Sequence, residues 1–322
     1  MRDINCKLPA HGLMFHHFYN EFHPVGQGAI SANDLADLIQ FVGPDRILRA
    51  PEWIDRVDAR RLQPGDICIT FDDGLCCQYD VAVPVLRRFG ISAFFFVNTG
   101  IEIGDAYRLE FYRYFRTVAF STVDDFYNAF MVALEKSKHA ERARPALADF
   151  TPANYLSDYP FYTEGDRIFR FIRDEILGPI DYHQLMDDMT ASYKCICDDD
   201  MRKRLWLSRD QIVALSEEGH IIGMHSHSHP TVLKALSQKD QECEYKTNRD
   251  LLAEILGAPP ICMSHPCNSY DCGTLGILNR LGIRLGFRAN MVEGFASNLE
   301  YPREDHANLM KELAFEHCGL YK

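Results

Sequence analysis

Two apolar runs, ICITFDDG at 67–74 and IIGMHSHSHP at 221–230, constrain this chain most, because each breaks off abruptly in acidic or metal-binding side chains. Ile67, Cys68, Ile69, Thr70 and Phe71 have the β-branched and aromatic content of a core strand, and Asp72 and Asp73 follow at once. Ile221, Ile222, Gly223 and Met224 deliver His225, His227 and His229 in the same way. A carboxylate pair and a histidine cluster therefore both stand at strand ends.

Other strand-like runs at 13–17, 92–98, 260–265 and 283–288 alternate with helical patterns. Val81, Val85, Leu86 and Phe89 predict a helix over Tyr79 to Phe89, stopped by Gly90, and Ser208 with Gln211 opens a second helix that ends at Gly219. Each helix leads directly into a strand, so the expectation is a parallel βα-repeated α/β architecture. In a closed parallel barrel the strand C-terminal ends meet at one mouth, which lets residues distant in sequence share a site. The stretch 101–207 differs, with helical patterns at 107–119, 122–138, 165–177 and 181–192 and no clear strand. It reads as a helical insertion in one barrel domain spanning 1–322, serving as a lid or as a stabilising annex. Phe111, Tyr112, Tyr114 and Phe115 fall at helical spacing and read as its core rather than as a sugar-stacking face.

With a net charge of −12 over 322 residues, the chain offers no broad positive field for nucleic acid or an anionic membrane surface. No run approaches the roughly 20 apolar residues of a membrane span. The N-terminal MRDINCKLPAHG has no apolar core of a secretory signal, and eleven cysteines read as reduced thiols, so a cytoplasmic location is expected. Cys195 and Cys197, beside Asp198, Asp199 and Asp200, do not form a paired metal-binding array.

A catalytic metal needs about three protein ligands and an open position, which one carboxylate and two imidazoles supply. On a straight strand His225 and His229 would lie roughly 13 Å apart, so a strand followed by a tight bend is required to join them, with His227 turned elsewhere. Gly74 provides a turn through which one aspartate can meet a metal while its neighbour acts as a general base towards water. The implied reaction is metal-assisted hydrolysis.

TFDDG at 70–74 and HSHSH at 225–229 resemble the first two motifs of the polysaccharide deacetylase (NodB-homology) family, and LMFHHF at 13–18 and SAFFFVNTG at 92–100 are similar to its flanking strands. The resemblance implies an irregular (β/α) barrel of about seven strands and metal-dependent removal of acyl groups from sugars. It implies Asp72 as general base and Asp73, His225 and His229 as ligands of one divalent ion. Zinc is the first expectation, with iron, cobalt, nickel or manganese also suited. The family's third-motif arginine is missing, since Ser264 or His265 stands in its place, and Arg303 from a later loop is expected to replace it. His306 is similar in placement to the family's general acid, with His265 and His317 as competitors. The backbone N–H of Cys267 is expected as an oxyanion donor, and Tyr270 and His16 as pocket residues. The expected substrate is an N-acylated, nucleotide-linked or lipid-linked sugar. The alternatives are a silent carbohydrate-binding barrel and an amidase acting on a non-sugar C–N bond.

Overall fold

Seven short parallel strands form the sheet among the described residues: β1 His11–Phe15, β2 Ile67–Phe71, β3 Phe94–Val97, β4 Ile221–Met224, β5 Cys262–Ser264, β6 Leu285–Phe287 and β7 Arg303–Asp305. Their order is β6-β5-β4-β3-β2-β1-β7. The computed structural model describes residues 8–100, 108–159, 162–193, 205–292, 294 and 297–317. The sheet curls into a nearly closed barrel in which β6 and β7 do not share a ladder. Tyr301 bridges the seam, pairing with Phe287, accepting from Arg288 N at 3.0 Å and donating to Gly286 O at 2.9 Å. This is the irregular (β/α) barrel expected from the motifs.

Alternation along the strands sorts side chains between two faces. Cys68, Phe94, Phe96, Cys262, Leu285 and Phe287 cluster together with Trp53, from the helix Ala50–Asp58, as a buried core. On the other face Phe15 packs against Phe71 with the rings tilted, and Phe71 stacks on Phe95 with centroids 4.6 Å apart. Both faces are covered, which is why the strands read as continuous apolar runs.

The helix beginning at Arg209 has the capping box read from Ser208 and Gln211. The helix expected at 79–89 divides into a π-turn at Gln78–Ala82 and an α-helix at Val83–Phe89, with Pro84 in its first turn, where a missing N–H costs nothing. β7 was not among the strand-like runs, since Tyr301-Pro-Arg-Glu-Asp has neither the apolar content nor the alternation of a core strand.

The chain divides into two compact units, Met1–Tyr107 with Lys203–Lys322, and Arg108–Arg202. The second is helical: Arg108–Ala119, Val123–Lys136, Ala140–Ala148, Glu164–Phe171, a π-turn at Ile172–Leu177, and Gly178–Ser192. Phe111, Tyr112 and Phe115 are buried in its core beside Phe126, Phe130 and Phe169. The helix Ala140–Ala148 escaped the sequence pattern because Pro145 lies inside it. No helix among the described residues is long and apolar enough to cross a membrane. Cys195 and Cys197 lie outside the described residues.

Candidate metal centre

The site is built at the ends of β2, β4 and β5, with one side chain rising from β7. The chain leaves β2 through Asp72 and then through two left-handed residues, Asp73 at φ 75° and Gly74 at φ 65°. A Cβ on Gly74 would lie 2.9 Å from Val97 Cγ1, so only glycine fits there without displacing β3. Asn98 Nδ2 donates to Asp73 O at 3.0 Å and holds the turn.

After β4 the chain bends at Ser226, φ 59°, and again at His229, φ 54°. That double bend closes the distance a straight strand would impose, leaving the Nε2 atoms of His225 and His229 3.1 Å apart. Asp73 Oδ1 lies 3.4 Å from His225 Nε2 and 3.3 Å from His229 Nε2. His227 turns away, its Nδ1 3.0 Å from Thr99 Oγ1.

The donor set fits a divalent cation on two counts. His225 Nδ1 faces Ser264 O at 3.1 Å, an oxygen that can only accept. Nδ1 therefore carries the hydrogen, and Nε2 presents its lone pair towards Asp73. Asp73 Oδ1 is buried and accepts no hydrogen bond, an oxygen that has surrendered water without a protein donor in exchange. Burial lowers the His229 imidazole to about 4, favouring the neutral ligand form. Burial opposes protonation of His225, but the Asp72 and Asp73 carboxylates outweigh it and raise the group. Burial also pushes the Asp73 carboxyl up, and the two imidazoles override it and hold the group well below the usual range.

Arg303 is the first residue of β7 rather than part of a loop. Gly12 pairs with Cys68 on one side and with Arg303 on the other, so Arg303 starts four residues below Asp72 and its side chain climbs the barrel interior. Gly12 leaves room for it, since a Cβ there would stand 3.1 Å from Arg303 Cγ. The guanidinium meets Asp72 in a fork, Nη1 to Oδ1 and Nη2 to Oδ2 both at 2.7 Å, while Nε donates to Arg288 O. Ser264 Oγ donates to Asp72 Oδ1 at 3.0 Å. Burial alone would push the Asp72 carboxyl up, but Arg303, with His225 and His16, holds it at about 2.

His16 Nε2 lies 3.8 Å from Asp72 Oδ2, with the side chain 28% exposed. Cys267, at φ 49°, follows Pro266 in the turn that leaves β5, the strand ending in Ser264. Tyr270 stacks on the buried His265, centroids 3.9 Å apart, and its hydroxyl donates to Glu300. His265 in turn bonds Leu299 O and does not reach the aspartates. The structure does not bring His306 to the cluster. Its ring stacks on Phe15, and its Nε2 donates to Gly28 O at 2.9 Å. His306 follows β7 as the first residue of the helix His306–His317, and these two contacts hold its ring. The His317 side chain lies outside the described residues.

Sequence reasoning missed the supports. Gln78 Nε2 donates to both Asp72 O, at 2.6 Å, and His16 O, at 2.9 Å. From the helix Gln238–Leu256, Asn248 Oδ1 accepts from His225 N, and Glu244 accepts from the N–H groups of His227 and Ser228. These roles have no sequence signal, since each depends on which helix face meets the bent loop.

A carboxylate and two imidazoles thus stand beside a second, arginine-held carboxylate at one end of a (β/α) barrel. The family it resembles is the polysaccharide deacetylases: the family model of that description matches residues 186–286, which contain the histidine loop. Three solved structures carry the same fold. The Streptococcus pyogenes deacetylase PplD, in complex with acetate, is 18% identical, with 96% of this chain and 99% of that one covered and a TM-score of 0.52. IcaB from Ammonifex degensii is 16% identical over 95% and 96% of the two chains, TM-score 0.51. A de-N-acetylase from Aggregatibacter actinomycetemcomitans is 11% identical over 94% and 99%, TM-score 0.52. No curated protein sequence matches the chain.

Proposed function

We propose that the protein is a metal-dependent deacylase that removes an acyl group, in the first instance N-acetyl, from a sugar or sugar conjugate. The observation that carries this reading is the junction of two sets of groups: Asp73, His225 and His229 gathered as ligands, and Asp72 beside them, forked by Arg303. A ligand cluster alone would suit a structural ion, whereas an ionised carboxylate beside it, itself no ligand, suits a general base. A divalent cation at Asp73, His225 and His229, zinc as the first expectation, would polarise the acyl carbonyl and acidify water.

The chain's own residues supply the rest. Asp72 accepts the proton of the attacking water, and Arg303 and Ser264 fix the orientation of its two oxygens. Cys267 N–H is the oxyanion donor of this reading. His16, both beside Asp72 and open at its edge, is better placed than His306 to give a proton to the leaving nitrogen. The match to the polysaccharide deacetylase model and the fold shared with deacetylases support a sugar substrate. The substrate of this reading is a nucleotide-linked or lipid-linked sugar, and a reducing compartment suits the thiols at Cys68, Cys76, Cys243, Cys262 and Cys272.

Acetate release from N-acetylated hexosamine oligosaccharides and nucleotide-linked N-acetyl sugars tests this reading. Release by the metal-loaded protein, lost on chelation and restored by adding metal back, is expected. Absence of release across N- and O-acetylated sugars from protein proven to hold the metal would overturn it.

A further inference from the structure

A second cluster of metal-ligating side chains lies apart from the site described above. His23 Nε2 stands 2.8 Å from Asp80 Oδ2, and Cys76 Sγ donates to that same oxygen at 3.4 Å. One ligand atom from each of the three residues lies within 4.8 Å of the other two. Cys76 and Asp80 are four residues apart, one helical turn, and so share a face. His23 arrives from the segment after β1 and is held in advance, because Asn20 Oδ1 accepts from the N–H groups of Phe22, at 2.8 Å, and His23, at 3.0 Å. The His23 side chain is 16% exposed and that of Asp80 41%, so the cluster is open to an entering ion.

We propose that His23, Cys76 and Asp80 form a second divalent-cation site of the zinc class, three residues beyond Asp73 and independent of it. The donor set carries the assignment: a thiol and an imidazole select zinc or cobalt over magnesium and calcium, which prefer oxygen. Charge agrees as well, since a thiolate and a carboxylate neutralise one divalent ion. On binding, the Cys76 Sγ–H proton passes to solvent and the sulfur lone pair goes to the ion. His23 keeps one proton, on Nδ1, and offers Nε2. Without a cation, burial and the neighbouring Asp80 push the Cys76 thiol up to about 11, which suits it poorly to nucleophilic or redox work. Gln78 lies between Cys76 and Asp80 and bonds both Asp72 O and His16 O. An ion here would therefore staple the segment after β1 to the turn that supports the candidate base.

The test is a cobalt(II) titration of the full chain in a His225→Ala/His229→Ala background, read by thiolate-to-cobalt charge-transfer absorption and by bound metal. One equivalent with the thiolate band is expected, with the band lost on adding Cys76→Ser. Should that variant fail to fold, Asp80→Asn, which preserves shape and removes the charge, is expected to weaken binding by more than the roughly ten- to hundredfold typical of an outer-shell change. No thiolate band at saturating cobalt, a band that survives Cys76→Ser, or unchanged affinity in Asp80→Asn would overturn the site.

Discussion

Replacing Asp72 with asparagine is expected to lower the rate of acyl release by about 10²- to 10⁴-fold, the usual contribution of a positioned general base, while metal content stays that of the wild type. Asparagine has the same shape and still accepts from Ser264 Oγ and one arm of Arg303, but it cannot take a proton from water. Asp73→Asn should differ, because Asp73 is the carboxylate turned to His225 and His229, and its loss is expected to release metal along with activity. The pair of variants separates base from ligand. If the protein were a silent carbohydrate-binding barrel, neither substitution would have a rate to remove. Acyl release within a few-fold of wild type in Asp72→Asn would contradict the assigned role.

Arg303→Ala should be the most destabilising single change at the site, costing about 3–5 kcal/mol, because it leaves the Asp72 carboxylate buried and stripped of its forked partner. Total stabilities of about 5–15 kcal/mol make that a large share, and denaturant unfolding would measure it. The pH dependence carries a sign. In the wild type the depressed Asp72 group contributes stability that is complete above the ordinary carboxyl value of 3.8 and is lost as pH falls through about 2. In the variant burial is no longer offset by Arg303, the carboxyl rises, and the charged form is what destabilises. The deficit against wild type is therefore expected to be largest at neutral pH and to narrow in acid. Arg303→Lys keeps a charge but not the fork, so its stability should lie between the two while the rate still falls. An Arg303→Ala protein as stable as the wild type at neutral pH would show that the fork does not hold Asp72.

Much of the barrel is legible in the sequence because its strands, buried on both faces, announce themselves as apolar runs. β7 is the exception. Arg303 lies inside the barrel yet is charged, and a charged strand gives no hydrophobic signal. The same residue shows how a guanidinium can reach Asp72 from a strand that carries no recognisable motif. The meeting of His225 and His229 could be anticipated from strand rise and an obligatory bend. The bonds of Asn248, Glu244 and Gln78 could not, since all three are ordinary polar residues on helical segments until the fold turns them to the site. His306, which opens the helix after β7, stacks on Phe15 and bonds Gly28 O, contacts that its placement in the sequence does not announce.

The most direct test of the central claim, that Asp73, His225 and His229 hold a metal beside Asp72, is the metal content of the wild type set against His225→Ala/His229→Ala by elemental analysis after loading. The wild type is predicted to hold one equivalent of divalent metal more than the double variant. Equal contents in the two proteins would contradict it.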